Sequence, residues 1–270
     1  MSAVRPTRLS VNLNAIAYLR NRRDVPWPDL VTIARDVMQA GAFGLTVHPR
    51  PDERHIRRGD VFDLAEFLQA EFPQAEFNIE GYPTDDFMRL LEEVRPDQAT
   101  LVPDAPGQST SDHGWAFDQD SGMLAPILAD IATMGLRSSV FVDPNLSSIE
   151  AAQALPTDRV ELYTGPFGAA RNVEDRNRHL ADLAAAAAAT KQSGKAVGRT
   201  RPLGVNAGHD LSQENLPHLL RHVSPLDELS IGHALMSDAM RVGYSAAVAR
   251  YLEVIDTHSA ATSDPTPQTA

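Results

Sequence analysis

Short apolar runs rich in Val, Ile, Leu and Thr recur along the chain and alternate with longer amphipathic stretches. Eight of the runs read as strands: LSVNLN (9–14), GLTVHP (44–49), EFNIEG (76–81), QATLVP (98–103), RSSVFVD (137–143), RVELYT (159–164), LGVNAG (203–208) and ELSIGHA (228–234). Between them, PDLVTIARDVMQAG puts Leu30, Ile33, Ala34, Val37 and Met38 on one helical face and stops at Gly41. TDDFMRLLEEV opens with a Thr cap and acids in its first turn. DSGMLAPILADIATMG, SSIEAAQAL, NVEDRNRHLADLAAAAAATKQSG, SQENLPHLLRHV and SDAMRVGYSAAVARYLEVI complete the helices expected. Strand–helix alternation of this kind implies parallel strands joined by crossover helices. Near-continuous apolar strands imply a sheet covered on both faces. Eight such units predict an α/β fold, a (β/α)8 TIM barrel, as a single domain over residues 1–256. An open doubly wound sheet is the alternative, but no G-x-G-x-x-G follows the first strand. The small, polar, Pro/Thr-rich residues 257–270 read as a disordered tail, and KQSGKAVGRTRP (191–202) as a surface loop at the N-terminal face of the barrel.

Composition narrows the function classes. A net charge of −12 over 270 residues argues against a general nucleic-acid or anionic-membrane surface, while leaving room for a local basic pocket. The absence of cysteine removes disulfides, iron–sulfur ligation and thiol nucleophiles. No apolar run approaches the roughly 20 residues of a membrane helix, and the N-terminus lacks an apolar signal core, so a cytoplasmic protein is expected. Of 24 basic residues only Lys191 and Lys195 are lysines, both in the stretch before the seventh strand.

The ends of the strands carry the chemistry. LTVHPRPDERHI (45–56) runs from a buried-looking strand into two histidines, two arginines and two acids. In a barrel of this type the active site lies at the C-terminal ends of the strands. There the chain places Asn12 and Asn14, His48 with Arg50 and His55, Glu80, Asp104 with a polar loop holding Thr110, Glu161 with Thr164, Asn206 to Asp210, and Gly232-His233. Taken singly, each has a plain structural reading: a capped loop histidine, a salt-bridged acid, a turn, a solvated charge run. Their coincidence at one end of one barrel points to a pocket. Histidines and partly desolvated carboxyls exchange protons near neutrality. Arginines grip phosphate, and glycine before a helix start offers backbone N–H groups to it. The inventory reads as proton transfer on phosphorylated carbon compounds. A Schiff-base aldolase would need a lysine at a strand end. A metal-dependent barrel hydrolase would want His-x-His on the first strand, where this chain has Asn12-Leu13-Asn14; His48, His55 and Glu80 remain a conceivable ligand set.

VNLNAIAYLRNRR (11–23), GLTVHPRPDERHI (44–56), FNIEG (77–81), TLVPD (100–104), VELYTGP (160–166), VNAGHDL (205–211) and LSIGHAL (229–235), in that order, resemble the pyridoxine 5′-phosphate synthase family across residues 9 to 254. The resemblance implies a (β/α)8 barrel with extra helices, a homo-octamer, and no metal or organic cofactor. It implies condensation of two phosphorylated small molecules, 1-deoxy-D-xylulose 5-phosphate and 3-amino-2-oxopropyl phosphate, to pyridoxine 5′-phosphate, phosphate and water. By the same resemblance His48 is a general acid or base, Glu80 the central acid–base carboxylate, His209 a proton donor and Glu161 a charge-stabilising acid. Arg50, His55 and Thr110 match a sugar-phosphate site, with Asn14 beside it. Asn12, Arg23, Gly232 and His233 match the aminooxopropyl-phosphate site, with Asp210 joining through its backbone. The chain departs from a common form of the pattern, Asn-x-Asp-His on strand 1, in reading Asn14-Ala15. It also has Asp210 where glycine is frequent, and it carries the KAVGRTRP insertion. The alternatives are another barrel lyase or isomerase acting on phosphosugars, and a non-catalytic barrel that binds a sugar phosphate.

Overall fold

A computed structural model describes residues 7–104, 107–108, 110–192 and 202–259. Eight parallel strands close into a barrel in chain order: β1 (Arg8–Asn12), β2 (Gly44–Val47), β3 (Glu76–Gly81), β4 (Gln98–Leu101), β5 (Arg137–Val142), β6 (Arg159–Tyr163), β7 (Gly204–Gly208) and β8 (Glu228–Ile231). Register pairing of Val11 with both Leu45 and Ile231 closes the ring. The helices are α1 (Asn14–Arg20), α2 (Leu30–Gln39), α3 (Arg58–Glu71), α4 (Asp85–Val94), α5 (Phe117–Thr133), α6 (Leu146–Ala154), α7 (Gly165–Gly168), α8 (Val173–Gln192), α9 (Leu216–His222), α10 (His233–Val242) and α11 (Tyr244–Ser259). All eight expected strands are present; β3 has the expected bounds, β1 starts one residue earlier and ends two earlier, and the others are shorter by one to three residues.

The helices depart from the expectation in three ways. Strand 1 was expected to run through Asn14, but the chain turns there into α1, and the Asn12 side chain accepts the Asn14 backbone N–H at 2.9 Å. The short α1, together with α3 and the one-turn α7, was not anticipated from periodicity. The final amphipathic run is two helices, broken at Gly243, whose φ of +83° no ordinary helical residue adopts. α11 continues to Ser259, so helix extends past the residue 257 boundary. Residues 260–270, and the insertion from 193 to 201, lie outside the described residues. Lys191 is described: its ammonium pairs with Asp227 at 2.9 Å, at the N-terminal end of the barrel.

The strands are buried on both faces, as expected, but only one face is apolar. Leu9, Val11, Leu45, Val47, Phe77, Ile79, Val160, Leu162, Val205 and Leu229 join the helices in one hydrophobic core. The alternate positions point to the barrel axis and, Phe141 apart, are mostly polar. A belt of side chains crosses four strands: Ser10 to Thr46 at 2.7 Å, Asn78 to Thr46 at 3.3 Å and Thr100 to Asn78 at 3.0 Å. Below it lies a buried ionic cluster. Arg137 meets Glu76 at 2.5 Å, and Arg159 meets Glu228 at 2.9 Å and Asn206 at 3.1 Å. Burial alone would raise the Glu76 carboxyl, but Glu228, Arg137 and Arg159 hold it below the usual carboxylate range. Glu228 is pushed well above that range by burial and by Glu76 beside it.

The cluster closes the N-terminal end of the barrel with carboxyls that are cut off from water and depend on Arg159 and the half-buried Arg137. Replacing Arg159 by Met is therefore expected to cost about 3 kcal/mol of unfolding free energy, by stranding buried carboxylate. Urea denaturation of the variant measures it; a loss below about 1 kcal/mol would show the cluster to be solvated.

Candidate active site

At the opposite end of the barrel the strand exits surround a cavity of about 740 Å³. Asn12 reaches it from β1, Glu80 from β3 and Glu161 from β6. His48, Arg50 and His55 enter from the exit of β2, Thr110 from the β4 loop, His209 and Asp210 from the exit of β7, and Gly232 and His233 from that of β8. Asn14 lines the cavity as the first residue of α1. Twelve of the thirteen residues singled out from sequence therefore border one space. Arg23 does not; it is exposed, and Arg22 lines the cavity instead.

Glu80 and Glu161 are buried carboxyls with no arginine or lysine against them among the described residues. Burial alone pushes Glu161 up to about 7. Burial, then the nearby Glu161, Asp104 and Glu228, push Glu80 well above its ordinary value, against a weak 3.4 Å hydrogen bond from the Asn12 amide. A side chain at Gly208 would put a Cβ 2.4 Å from a Glu161 oxygen, so only glycine leaves that carboxyl its place. His48 stands between two acids. Its Nδ1 is 3.9 Å from Glu80 and its Nε2 is 3.9 Å from Asp104. Burial pushes its imidazole down to about 3, with Arg50, His55 and His209 adding to the effect and Asp104 opposing it. His55 is pushed down to about 4 by burial, then by Arg50 and Arg54. Its Nδ1 accepts the Ile56 N–H at 2.9 Å, so the neutral ring carries its proton on Nε2. His209 is lowered by burial and packs against Phe141 and Tyr163, with centroids 5.3 and 5.4 Å away. The site thus sets carboxyls with raised proton affinity beside imidazoles with lowered proton affinity, the two halves of a proton-transfer apparatus.

Other contacts hold the frame. The Asn14 side chain accepts the backbone N–H of His48 at 2.9 Å, an acceptor role that an aspartate could fill equally. His209 and Asp210 have φ of +86° and +55°, a region glycine enters freely and Asp tolerates. The Thr164 hydroxyl lies 2.6 Å from the Gly208 carbonyl and 2.5 Å from that of His209. Asn215 donates to the Asp210 carbonyl at 2.8 Å. Arg50 is buried and donates to Asp104 and to the Gln108 carbonyl, which also takes Arg54 at 2.7 Å. Sequence reasoning did not assign a role to Asp104 and Ser111, nor did it place Tyr18, Leu19, Arg22, Met236 and Met240 at the cavity. The phase of α1 would have revealed part of this set: with Asn14 and Ala15 facing the cavity, helical spacing brings Tyr18, Leu19 and Arg22 to the same side and carries Arg23 off it. Among the described residues, no three His, Cys, Asp or Glu side chains converge as a metal site, and no helix is long and apolar enough to cross a membrane.

Fold and cavity together define a (β/α)8 barrel whose strand exits gather titratable side chains around one space. Residues 9–257 match the family described as pyridoxal phosphate biosynthesis protein PdxJ, and the chain belongs to that family. It is 50% identical over 252 residues to the pyridoxine 5′-phosphate synthases of Brucella anthropi and Brucella abortus, covering 93% of this chain and 99% of each relative. Among solved structures, similarity to the Amycolatopsis orientalis BexX/CysO complex has a TM-score of 0.61 at 14% identity, covering 100% of this chain and 97% of that one. The tryptophan synthase alpha chain of Legionella pneumophila also gives 0.61 at 14% identity, covering 93% and 92%. At that identity the likeness concerns the barrel alone.

The raised Glu161 carboxyl has a consequence for stability. Its folded value lies above the unfolded one near 4.5, so its contribution is fully present below the unfolded value and is lost as pH rises through about 7. Glu161→Gln removes that penalty. The variant is expected to be more stable than the parent at pH 8 by on the order of 3 kcal/mol, with the gap shrinking toward pH 5. Thermal melts at the two pH values read it; equal gaps would mean that Glu161 ionises freely in the folded state.

Proposed function

We propose that the chain condenses 1-deoxy-D-xylulose 5-phosphate with 3-amino-2-oxopropyl phosphate, closing the pyridine ring of pyridoxine 5′-phosphate and releasing phosphate and water. The observation that carries the reading is His48 set 3.9 Å from Glu80, with Glu161 and His209 on the same cavity, in a chain half identical to curated synthases. The imine forms from the substrate's own amine, so no lysine is needed at a strand end. Glu80, protonated at rest, donates to departing oxygen and takes protons back in later steps. His48, neutral at rest, accepts a carbon-bound proton. His209 donates to the leaving group, and Glu161 stabilises the positive charge that develops on nitrogen.

The sugar phosphate lies against Arg50, the Nε2–H of His55 and Thr110, with Asn14 at its edge. The aminooxopropyl phosphate lies at the start of α10, with Asn12, Gly232, His233 and the Asp210 backbone. Support for that placement comes from the α10 cap: Gly232 supplies no side-chain hydrogen bond, which leaves the first-turn amides for an anion. Arg22 makes the rim positive. The enzyme works as a cytoplasmic homo-octamer. Exposed apolar residues at the cavity mouth, Tyr18, Leu19 and Met240, fit burial against a second subunit, which light scattering of the purified protein would test.

The test of the reaction supplies both substrates in the presence of a chelator and follows product and phosphate together. Equal accumulation of the two is expected. His48→Ala and Glu80→Gln are expected to lower kcat by about 10²–10⁴ while leaving the fold unchanged by circular dichroism. Undiminished turnover in either variant would remove that residue from the mechanism.

A further inference from the structure

Asp104 follows β4 and is buried behind three residues that line the cavity, His48, Arg50 and Ser111. One carboxylate oxygen, Oδ2, meets three groups: the Arg50 guanidinium, the Ser111 hydroxyl at 2.8 Å and, at 3.9 Å, Nε2 of His48. The other oxygen is buried with no hydrogen-bond partner among the described residues. A carboxylate in that position is an internal substitute for an incoming anion, because it occupies the guanidinium that a phosphate would grip. It is also charge-coupled to the site's acids and bases, opposing the depression of His48 and His209 and adding to the elevation of Glu80.

We propose that Asp104 is a positioning residue that holds Arg50 in place in the free enzyme and, once a substrate phosphate takes that guanidinium, is left as the counter-charge of His48. The proposal rests on the reading that Arg50 binds substrate phosphate, and it adds a reason for the buried acid. A buried arginine with no anion would be costly, so Asp104 neutralises it until substrate arrives. The charged and titratable groups facing His48 are Glu80 from β3, Asp104 from the exit of β4, Arg50 and His55 from its own loop, and His209 from the exit of β7. Of these, Asp104 is the anion whose present partner is the phosphate anchor. Binding thus lifts from Asp104 the cation that offsets its pull on His48, and the imidazole becomes a better proton acceptor when a substrate is in place to use it.

The test uses the full chain with labelled histidine and follows the His48 imidazole by NMR, assigned against His48→Asn. Sulfate serves as the probe, since its charge stays fixed across the range where histidine titrates. In the wild type, saturating sulfate is expected to raise the His48 titration by about 1–3 pH units, the effect of an opposite charge within a few ångströms. In Asp104→Asn that rise is expected to fall by at least about half, with sulfate bound about tenfold more tightly because the internal competitor is gone. Its kcat falls about 10-fold or more, while KM for the sugar phosphate stays level or drops. Ser111→Ala, which leaves the charge in place, keeps the sulfate-dependent rise. A full rise in Asp104→Asn, weaker sulfate binding in that variant, or no sulfate response in the wild type would each overturn the proposal. Should Asp104→Asn not fold, the wild-type response and its retention in Asp104→Glu decide the matter. The NMR response needs no turnover, so a protein that shows it yet makes no pyridoxine 5′-phosphate would sink the assigned reaction and leave the role of Asp104 standing.

Discussion

Everything at the site depends on how the barrel interior treats buried carboxyls. Barrel interiors of this fold are ordinarily filled with branched aliphatic side chains. Here most axis-facing positions are Ser, Thr, Asn, Gln, Glu and Arg, with Phe141 and Tyr163 against His209 as exceptions, and the other apolar positions face the helices. A buried acid in such a channel either finds a cation or keeps its proton. Glu76 and Glu80 lie four residues apart on one strand and show both outcomes. Glu76 has Arg137 and Arg159 and is held low; Glu80 has no arginine against it and is pushed high. The arginines thus hold Glu76 low at one end, while Glu228 beside it, and Glu80 and Glu161 at the other end, are pushed high.

The same desolvation acts on the histidines with opposite sign. It disfavours imidazolium, so His48, His55 and His209 are pushed down where Glu80 and Glu161 are pushed up. Donors and acceptors are produced by one physical cause, with no dedicated partner for each group. This economy suits a condensation that needs many proton transfers in both directions. It also makes the site sensitive to any anion that enters, since a phosphate brings negative charge into a place that holds little mobile countercharge.

The strands, the barrel closure and the gathering of residues at one end were legible because each rests on local pattern: apolar runs of four to six residues, turns at their ends, polar residues just beyond. The polar interior was harder to read, since Thr46, Asn78 and Ser139 look unremarkable in runs that also hold Leu, Ile and Val. The α1 helix went unread because its seven residues begin directly at the end of β1, with no cap or spacer to announce it. The position of Arg22 at the cavity went unread with it, since Arg22 continues the face of Asn14, Ala15, Tyr18 and Leu19. Asp104 was visible as a residue at a strand exit, but its link to Arg50 crosses 54 positions and exists only in the fold.

The departures on strands 1 and 7 make sense on the same terms. Asn14 supplies an oxygen to the His48 N–H, a job that needs an acceptor and no charge. An amide there also adds no further anion to a layer that already holds Glu80, Glu161 and Asp104. Asp210 is different, since its φ of +55° belongs to the region where L residues cost roughly 1 kcal/mol or more. Two consecutive residues in that region, His209 and Asp210, reverse the chain at once after β7 and turn the imidazole back between Phe141 and Tyr163. The strain is offset by Thr164, which bonds the Gly208 carbonyl through both its amide and its hydroxyl and reaches that of His209, and by Asn215 on the Asp210 carbonyl. With the turn anchored from both sides, the cost of aspartate in place of glycine is a local one, and the position of His209 does not depend on which of the two residues follows it.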